Sequence, residues 1–226
     1  MIEVTYIDHM GSDLSVVNSA RVSFGKRSEA LGRSGVEGEH MTPILHDTDK
    51  RLIKYLAKHR HMSPFGHAFA SFHVKAPIFV ARQLVKHKFL RWNEISRRYV
   101  DDEPTFYDTR LWRKRPENKK QGSSDTSFFS ESELDRVGYM YKDAVRHCLD
   151  SYNSMIKNGV APEQARAVLP QGMYTEWVET GSLAAAARIV GLRNKEDAQK
   201  EIQDLAIMLM KEIKTIAPVS WKALTT

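Results

Sequence analysis

Hydrophobic residues along the chain recur at two spacings, and the places where one gives way to the other divide it into elements. MIEVTYI alternates like a short strand, and Ser12 or Asp13 then caps a helix carrying Leu14, Val17 and Val22. From Gly25 to Pro43, glycine, serine and charge replace both patterns, which predicts a mobile loop. Thr48 or Asp49 caps a second helix with Leu52, Ile53, Leu56 and Ala57 at helical spacing, and His59 to His67 breaks it. Alternation returns from Phe69 to Lys75. Pro77 suits the first turn of a helix through Ile78, Val80, Ala81 and Leu84, and Ile95 to Val100 reads as extended.

The longest stripe starts at Ser130 or Ser132. Leu134, Val137, Tyr141, Val145, Cys148, Tyr152 and Ile156 share a helical face that Gly159 ends, so Cys148 is expected in the core. Pro162 opens a short helix ending at Leu169 and Pro170, Tyr174 to Val178 is extended, and Ser182 to Val190 is helical with Gly191 as its stop. Asn194 caps a last helix through Ile202, Leu205, Ile207, Leu209 and Ile213, closed by Pro218. No repeat or linker divides the chain, so the pattern predicts one helix-rich α+β domain over residues 1–226.

A length of 226 residues, 42% hydrophobic and 27% charged, is sufficient for such a core. No window approaches the roughly 18 uninterrupted apolar residues of a membrane span. The N-terminal stretch lacks the basic start and apolar run of a leader, so a cytoplasmic protein without membrane contact is expected. Its one cysteine cannot form an internal disulfide or a cysteine-based zinc site. Charge is more telling, because the net +6 is local. Arg82 to Arg98 holds six Lys/Arg against one acid, Arg110 to Lys120 another six against one, and the rest carries 22 bases against 26 acids. Such patches attract phosphate-bearing ligands, small or polymeric.

The chain has no G-x-S-x-G, P-loop, G-x-G-x-x-G or H-E-x-x-H motif. His59, His61 and His67 lack firm partners for a metal, and none is expected. The distinctive stretch is Arg82 to Tyr99, RQLVKHKFLRWNEISRRY. Most charge runs are solvated faces. Here Trp92 and Tyr99 add flat surfaces, and Gln83, Asn93 and Ser96 add directional hydrogen bonds, a mixture suited to a ligand with phosphate and an aromatic ring. A nucleotide fits that description, and so does single-stranded nucleic acid lying on Trp92 and Trp112.

Lys86-His87-Lys88, seven residues and then Ser96, with Asn93-Glu94 before that serine and Arg98-Tyr99 after it, resembles the R-H-R signature of the flavin-dependent thymidylate synthases. HRHMSPF at 59–65, FHVKAPIFVARQ at 72–83 and a block from Ala161 through RAVLP, YT, GLR and AQKEI resemble the same family, so the likeness spans nearly the whole chain. It implies an antiparallel sheet packed with helices and a homotetramer with sites shared between subunits. The implied reaction converts dUMP to dTMP, with 5,10-methylenetetrahydrofolate as carbon donor and NADPH-reduced FAD as hydride source, and without a cysteine nucleophile.

Carried over by position, Gln83, Leu84, Val85, Lys86, Glu94, Ile95, Ser96, Arg97, Arg98 and, from another subunit, Arg166 line the dUMP site. Arg193 joins them as the catalytic group at the uracil edge, although a cation near Gly191 also suits a helix end. Ser63, Lys86, His87, Lys88, Glu94, Ser182 and Arg188 fall to FAD, and His61 and Tyr99 to folate or the flavin ring. The chain departs from the family where Lys86 and Lys88 replace arginines, Arg91 a serine, Gly66 an acid and Asp197 a histidine. Ser182, Ala184 and Arg188 likewise replace Asn, Arg and Asn. Lysine keeps the charge and loses the planar fork. Two other readings stay open: a related pyrimidine-nucleotide hydroxymethylase, and a basic module for single-stranded nucleic acid.

Overall fold

The computed structural model describes residues 1–35, 40–100, 102–109, 112–117, 122–123 and 129–226. In chain order the elements are β1 (Glu3–Met10), α1 (Asp13–Arg21), β2 (Gly32–Ser34), β3 (Thr42–Ile44), α2 (Asp47–Lys58), β4 (Phe69–Pro77), α3 (Ile78–Leu84), β5 (Leu90–Glu94), α4 (Glu131–Lys157), α5 (Pro162–Ala165), β6 (Tyr174–Ser182), α6 (Leu183–Arg193), α7 (Lys200–Ile216) and α8 (Pro218–Thr225). β1, β4, β6 and β5, in that order, make one antiparallel sheet, so the fold is α+β as both pattern and resemblance predict.

The alternation of β4 decides which way the sheet faces. Ala70, Phe72, Val74 and Ala76 turn inward and share a core with Trp177 of β6 and with Ile189, Ile202, Leu205 and Leu209 of the C-terminal helices. The other face is polar: Ser71 and Thr180 hydrogen-bond at 2.8 Å, and Glu176 takes Lys75 at 3.2 Å and His73 at 3.3 Å. β5 reaches β6 closely because Gly181 has no side chain; a Cβ there would lie 2.5 Å from Leu90 Cδ2. The chain's two ends meet where the buried Asp13 carboxylate accepts the N–H groups of Val219 at 2.9 Å and Ser220 at 2.7 Å, capping α8.

Several expectations are corrected. Within the described part of the 25–43 loop, β2 and β3 pair as short antiparallel strands; residues 36–39 lie outside the described residues. His46, not Thr48 or Asp49, precedes α2, because Asp49 is buried and binds Arg21 and the Ser28 hydroxyl. Pro77 ends β4 and caps α3 rather than entering it. Extension falls at Leu90–Glu94, and the segment read as extended, 95–100, turns instead. α6 runs through Gly191 to Arg193, with Asn194 as its C-cap, while Gln199 caps α7. Pro218 starts α8 rather than closing the chain's last helix. The Ser130 start of α4 stands, with Ser130 N–H donating to Glu133 at 2.7 Å in a reciprocal cap. Its stripe does not build the core: of the residues in α4 only Tyr152 is buried, and Cys148 is half-buried outside the core cluster.

Candidate active site

β5 is a five-residue strand between two clefts. Glu94, at its end, opens onto the first cleft, and Arg91, about 10 Å back along the strand, lines the second.

The first cleft, of about 580 Å³, lies where β4 ends and β6 begins, and among the residues lining it are Lys75, Arg82, Glu94, Ile95, Arg97, Asp102, Arg166 and Tyr174. Glu94, Ile95 and Arg97, carried over to dUMP by resemblance, therefore meet here, and Arg166, expected from another subunit, lines the same cleft within the single chain. The Glu94 carboxylate accepts from Thr175 Oγ1 at 2.5 Å and from Trp92 Nε1 at 3.1 Å. Trp92 in turn stacks on the buried Trp177, with centroids 4.3 Å apart and planes 19° from parallel. Trp177 donates its own indole N–H to Glu179 at 2.9 Å. Glu179 is 3% exposed. Burial pushes its pKa up to about 7 against the opposing pull of the Trp177 hydrogen bond. Arg97 donates to both the carbonyl and the carboxylate of Asp102.

A second group joins the helices behind the two clefts. Arg193, the last residue of α6, donates from Nε to His87 Nε2 at 2.9 Å and from Nη2 to the Gln83 carbonyl at 2.9 Å. Because a guanidinium only donates, His87 must accept through Nε2 and is neutral. Burial, then the charges of Arg193 and Arg188, hold its pKa below the usual histidine value. Gln83 is fixed further by Gln199 at 2.5 Å. Three Arg193 N–H groups are left unused by these bonds, and Arg193 lines neither cleft.

The second cleft, of about 1160 Å³, runs between the turn after α2, the start of β5 and the outer side of α6. Ser63, Ser182 and Arg188, carried over to FAD, all line it, together with Arg60, Met62, Phe69, Phe89, Arg91 and Leu192. Ser182 accepts the Ala185 N–H at 3.3 Å as the N-cap of α6.

The remaining candidates are dispersed in this chain. Val85, Lys86 and Lys88 are exposed on the α3–β5 connection, whereas the Leu84 side chain is wholly buried in the core, leaving only its backbone to meet a ligand. Ser96, Arg98 and Tyr99 form a turn at the rim, with Arg98 over the Tyr99 ring and its Nε 3.4 Å from Glu163. His61 is exposed beside Tyr55 and His59. Arg82, Asp102 and Thr175 in the first cleft and Arg60, Phe89 and Arg91 in the second carry no role in the sequence reading. Arg82 and Arg91 register there as charge and as a departure, and Thr175 gives no signal at all.

The indoles meant for nucleobases are occupied. Trp92 stacks within the protein, and Trp112 packs edge-on against Tyr141 with centroids 5.4 Å apart. In the second basic patch Arg113 binds Glu201 at 2.6 Å and Lys114 approaches Glu133 at 3.9 Å, while Arg110, Lys119 and Lys120 lie outside the described residues. Burial raises the Glu201 carboxyl, but Arg113, the Glu201 backbone N–H and Gln199 together outweigh it and hold the pKa below the ordinary value. Cys148 lines neither cleft. Among the described residues no helix is long and apolar enough to cross a membrane, and no cluster of three or more potential ligands could hold a metal.

Known proteins resemble the chain along its length. Residues 5–219 match the family described as thymidylate synthase complementing protein. The flavin-dependent thymidylate synthase of Kosmotoga olearia is 35% identical, covering 97% of this chain and 88% of its own length. The flavin-dependent thymidylate synthase of Thermus thermophilus is 34% identical, covering 97% and 74%. A solved structure of the UMP/dUMP methylase PolB from Streptomyces cacaoi, bound with 5-Br dUMP, superposes with a TM-score of 0.81 at 30% identity, covering all of this chain and 95% of that one.

Proposed function

We propose a reaction for this chain on one premise: it belongs to the thymidylate synthase complementing family, the flavin-dependent thymidylate synthases. It methylates dUMP to dTMP. The observation that best supports this reading within the chain is the pair of clefts joined by β5, one carrying Glu94, Arg97 and Arg166 and the other carrying arginines over an apolar floor. The second cleft suits FAD, since a dinucleotide needs cations for its diphosphate and apolar walls for its rings. Ser63, Ser182 and Arg188 would hold it there.

In the first cleft, Glu94 is oriented by Thr175 and Trp92 before any substrate arrives, and Arg97 and Arg166 supply positive charge for the dUMP phosphate. Arg193 is locked in plane by His87 and Gln83 and presents its remaining N–H groups to the uracil edge, where they stabilise negative charge as the ring is activated. Flavin, when bound, supplies the hydride; NADPH reduces it and 5,10-methylenetetrahydrofolate brings the carbon. No protein thiolate enters this scheme.

The proposal treats residues 1–226 as one domain, since the core draws on residues from Ile2 to Trp221. It also includes a homotetramer in the cytoplasm. In support of assembly, α4 extends 27 residues with one buried side chain and leaves Tyr139 and Met140 exposed. The test is turnover of purified protein given FAD, NADPH and 5,10-methylenetetrahydrofolate, with dUMP and UMP compared and nucleotide products separated. dTMP is the expected product. A hydroxymethylated nucleotide, or no turnover by protein that has taken up FAD, would overturn the reading.

A further inference from the structure

The second cleft holds a group of three arginines of which the resemblance assigns only Arg188, and that to FAD without naming the part of it that is held. Arg60 from the turn after α2, Arg91 from β5 and Arg188 from α6 come to one cavity from three separate elements. Among the described residues no aspartate or glutamate lines that cavity and none of the three arginines makes an ion pair. Lys86 and Lys88, which stand where the family signature has arginines, do not line it. Planar guanidinium groups are thus supplied from elsewhere in the chain.

The backbone carries the second observation. Among the described residues only Arg60, at φ 56°, and Phe89, at φ 74°, adopt positive φ without being glycine, and both line this cleft. Such conformations cost on the order of 1 kcal/mol or more at a residue other than glycine. At Arg60 the positive φ belongs to the C-terminal cap of α2, where the Arg60 N–H donates to Ala57 at 3.0 Å and the His61 N–H to Leu56 at 2.8 Å; glycine suits that position best, and this chain places an arginine there. Phe89, with Met62, Phe69 and Leu192, forms the apolar part of the wall.

We infer that Arg60, Arg91 and Arg188 form a triad that binds the diphosphate of FAD, and that in this chain the triad takes over the forked contacts its lysine signature has lost. Two phosphate groups present several oxygens to several guanidinium forks, whereas riboflavin presents none. This inference rests on the proposed function, and one titration separates the two. Flavin-free protein is titrated with FAD, FMN and riboflavin, following flavin fluorescence, with folding checked by circular dichroism.

Wild-type protein should hold FAD at least about a hundredfold more tightly than riboflavin, and each of Arg91→Ala and Arg188→Ala should weaken FAD about tenfold while leaving riboflavin unchanged. Arg91→Lys should recover only part of the loss. Arg60→Gly is the sharpest variant, because it fits the left-handed backbone. It should melt at a higher temperature than wild type and yet bind FAD about tenfold more weakly, a combination that a purely structural arginine cannot give. FAD affinity unchanged across these variants would overturn the triad and leave the proposed function standing. Protein that binds no flavin would overturn both.

Discussion

The two clefts sit at opposite ends of the same three strands and balance their charges in opposite ways. In the first, several charges are partnered before a ligand arrives: Arg97 is on Asp102, Lys75 on Glu176, Glu94 on Thr175 and Trp92, and at the rim Arg98 is beside Glu163, while Arg82 and Arg166 make no ion pair among the described residues. In the second, three arginines face an acid-free cavity. A ligand entering the first cleft must exchange with protein groups already in place, which favours selectivity over raw affinity. One entering the second meets charge with no competing carboxylate, which favours retention. That is the division expected between a substrate that turns over and a cofactor that stays.

The largest effect should come at Arg193, which ties the end of α6 to the end of α3. Arg193→Ala removes the tie from α6 to Gln83 and His87 and should slow dTMP formation about a hundredfold or more at saturating dUMP, while NADPH still reduces the flavin. Single-turnover rates with pre-reduced enzyme test this. A wild-type rate would leave Arg193 as a helix-end cation.

Next is Glu179, a buried acid on β6 that has an indole and, among the described residues, no cation for a partner. In the folded protein it keeps its proton up to about pH 7, whereas an ordinary glutamate loses it near 4.5, so stability should fall as pH rises through that window. Glu179→Gln keeps the Trp177 hydrogen bond and should gain about 3 kcal/mol over wild type above pH 7, with little difference near pH 4.5. Urea unfolding at pH 5 and pH 8 measures it, and an equal difference at both would refute an uncompensated carboxyl.

A smaller effect tests whether pairing in the first cleft is competitive. Arg97→Ala should raise the KM for dUMP about tenfold with a lesser change in kcat, and Asp102→Asn should lower that KM about threefold by releasing Arg97. If Arg98→Ala outweighs Arg97→Ala, the rim turn rather than the cleft wall holds the phosphate. The smallest change belongs far from both clefts: Cys148→Ala should leave turnover intact and cost less than about 1 kcal/mol, because the side chain is only half-buried.

Local chemistry was legible in the sequence where it was sufficient to decide the structure. Ser130 and Glu133 cap α4 through groups three residues apart, and β4 alternates because both its faces are set within nine residues. β5 was not legible. LRWNE contains one aliphatic residue and two charges, and it is extended because β6 offers an edge and Gly181 lets Leu90 approach. The Cys148 stripe misled because helical periodicity reports an apolar face without saying whether this chain covers it. The signature around Glu94 and Ser96 pointed to a nucleotide, but the partners that hold Glu94 come from Trp92 and from Thr175, 81 residues away. The arginine cleft draws on residues from Ala57 to Leu224, a proximity that no spacing rule can show.

The central strand pair has a consequence for the order in which the protein comes into being. β4 is complete at Pro77, yet its register pairs Phe69 with Ser182 and Pro77 with Tyr174, closing a loop of roughly a hundred residues. During synthesis, β4 therefore leaves the ribosome with one edge unfilled and waits while nearly half the chain is made. The Asp13 cap on α8 waits longer still. The first cleft lacks a wall until β6 emerges and the second until α8 does, so the two sites are completed in order, with the second finished only as the last residues are made.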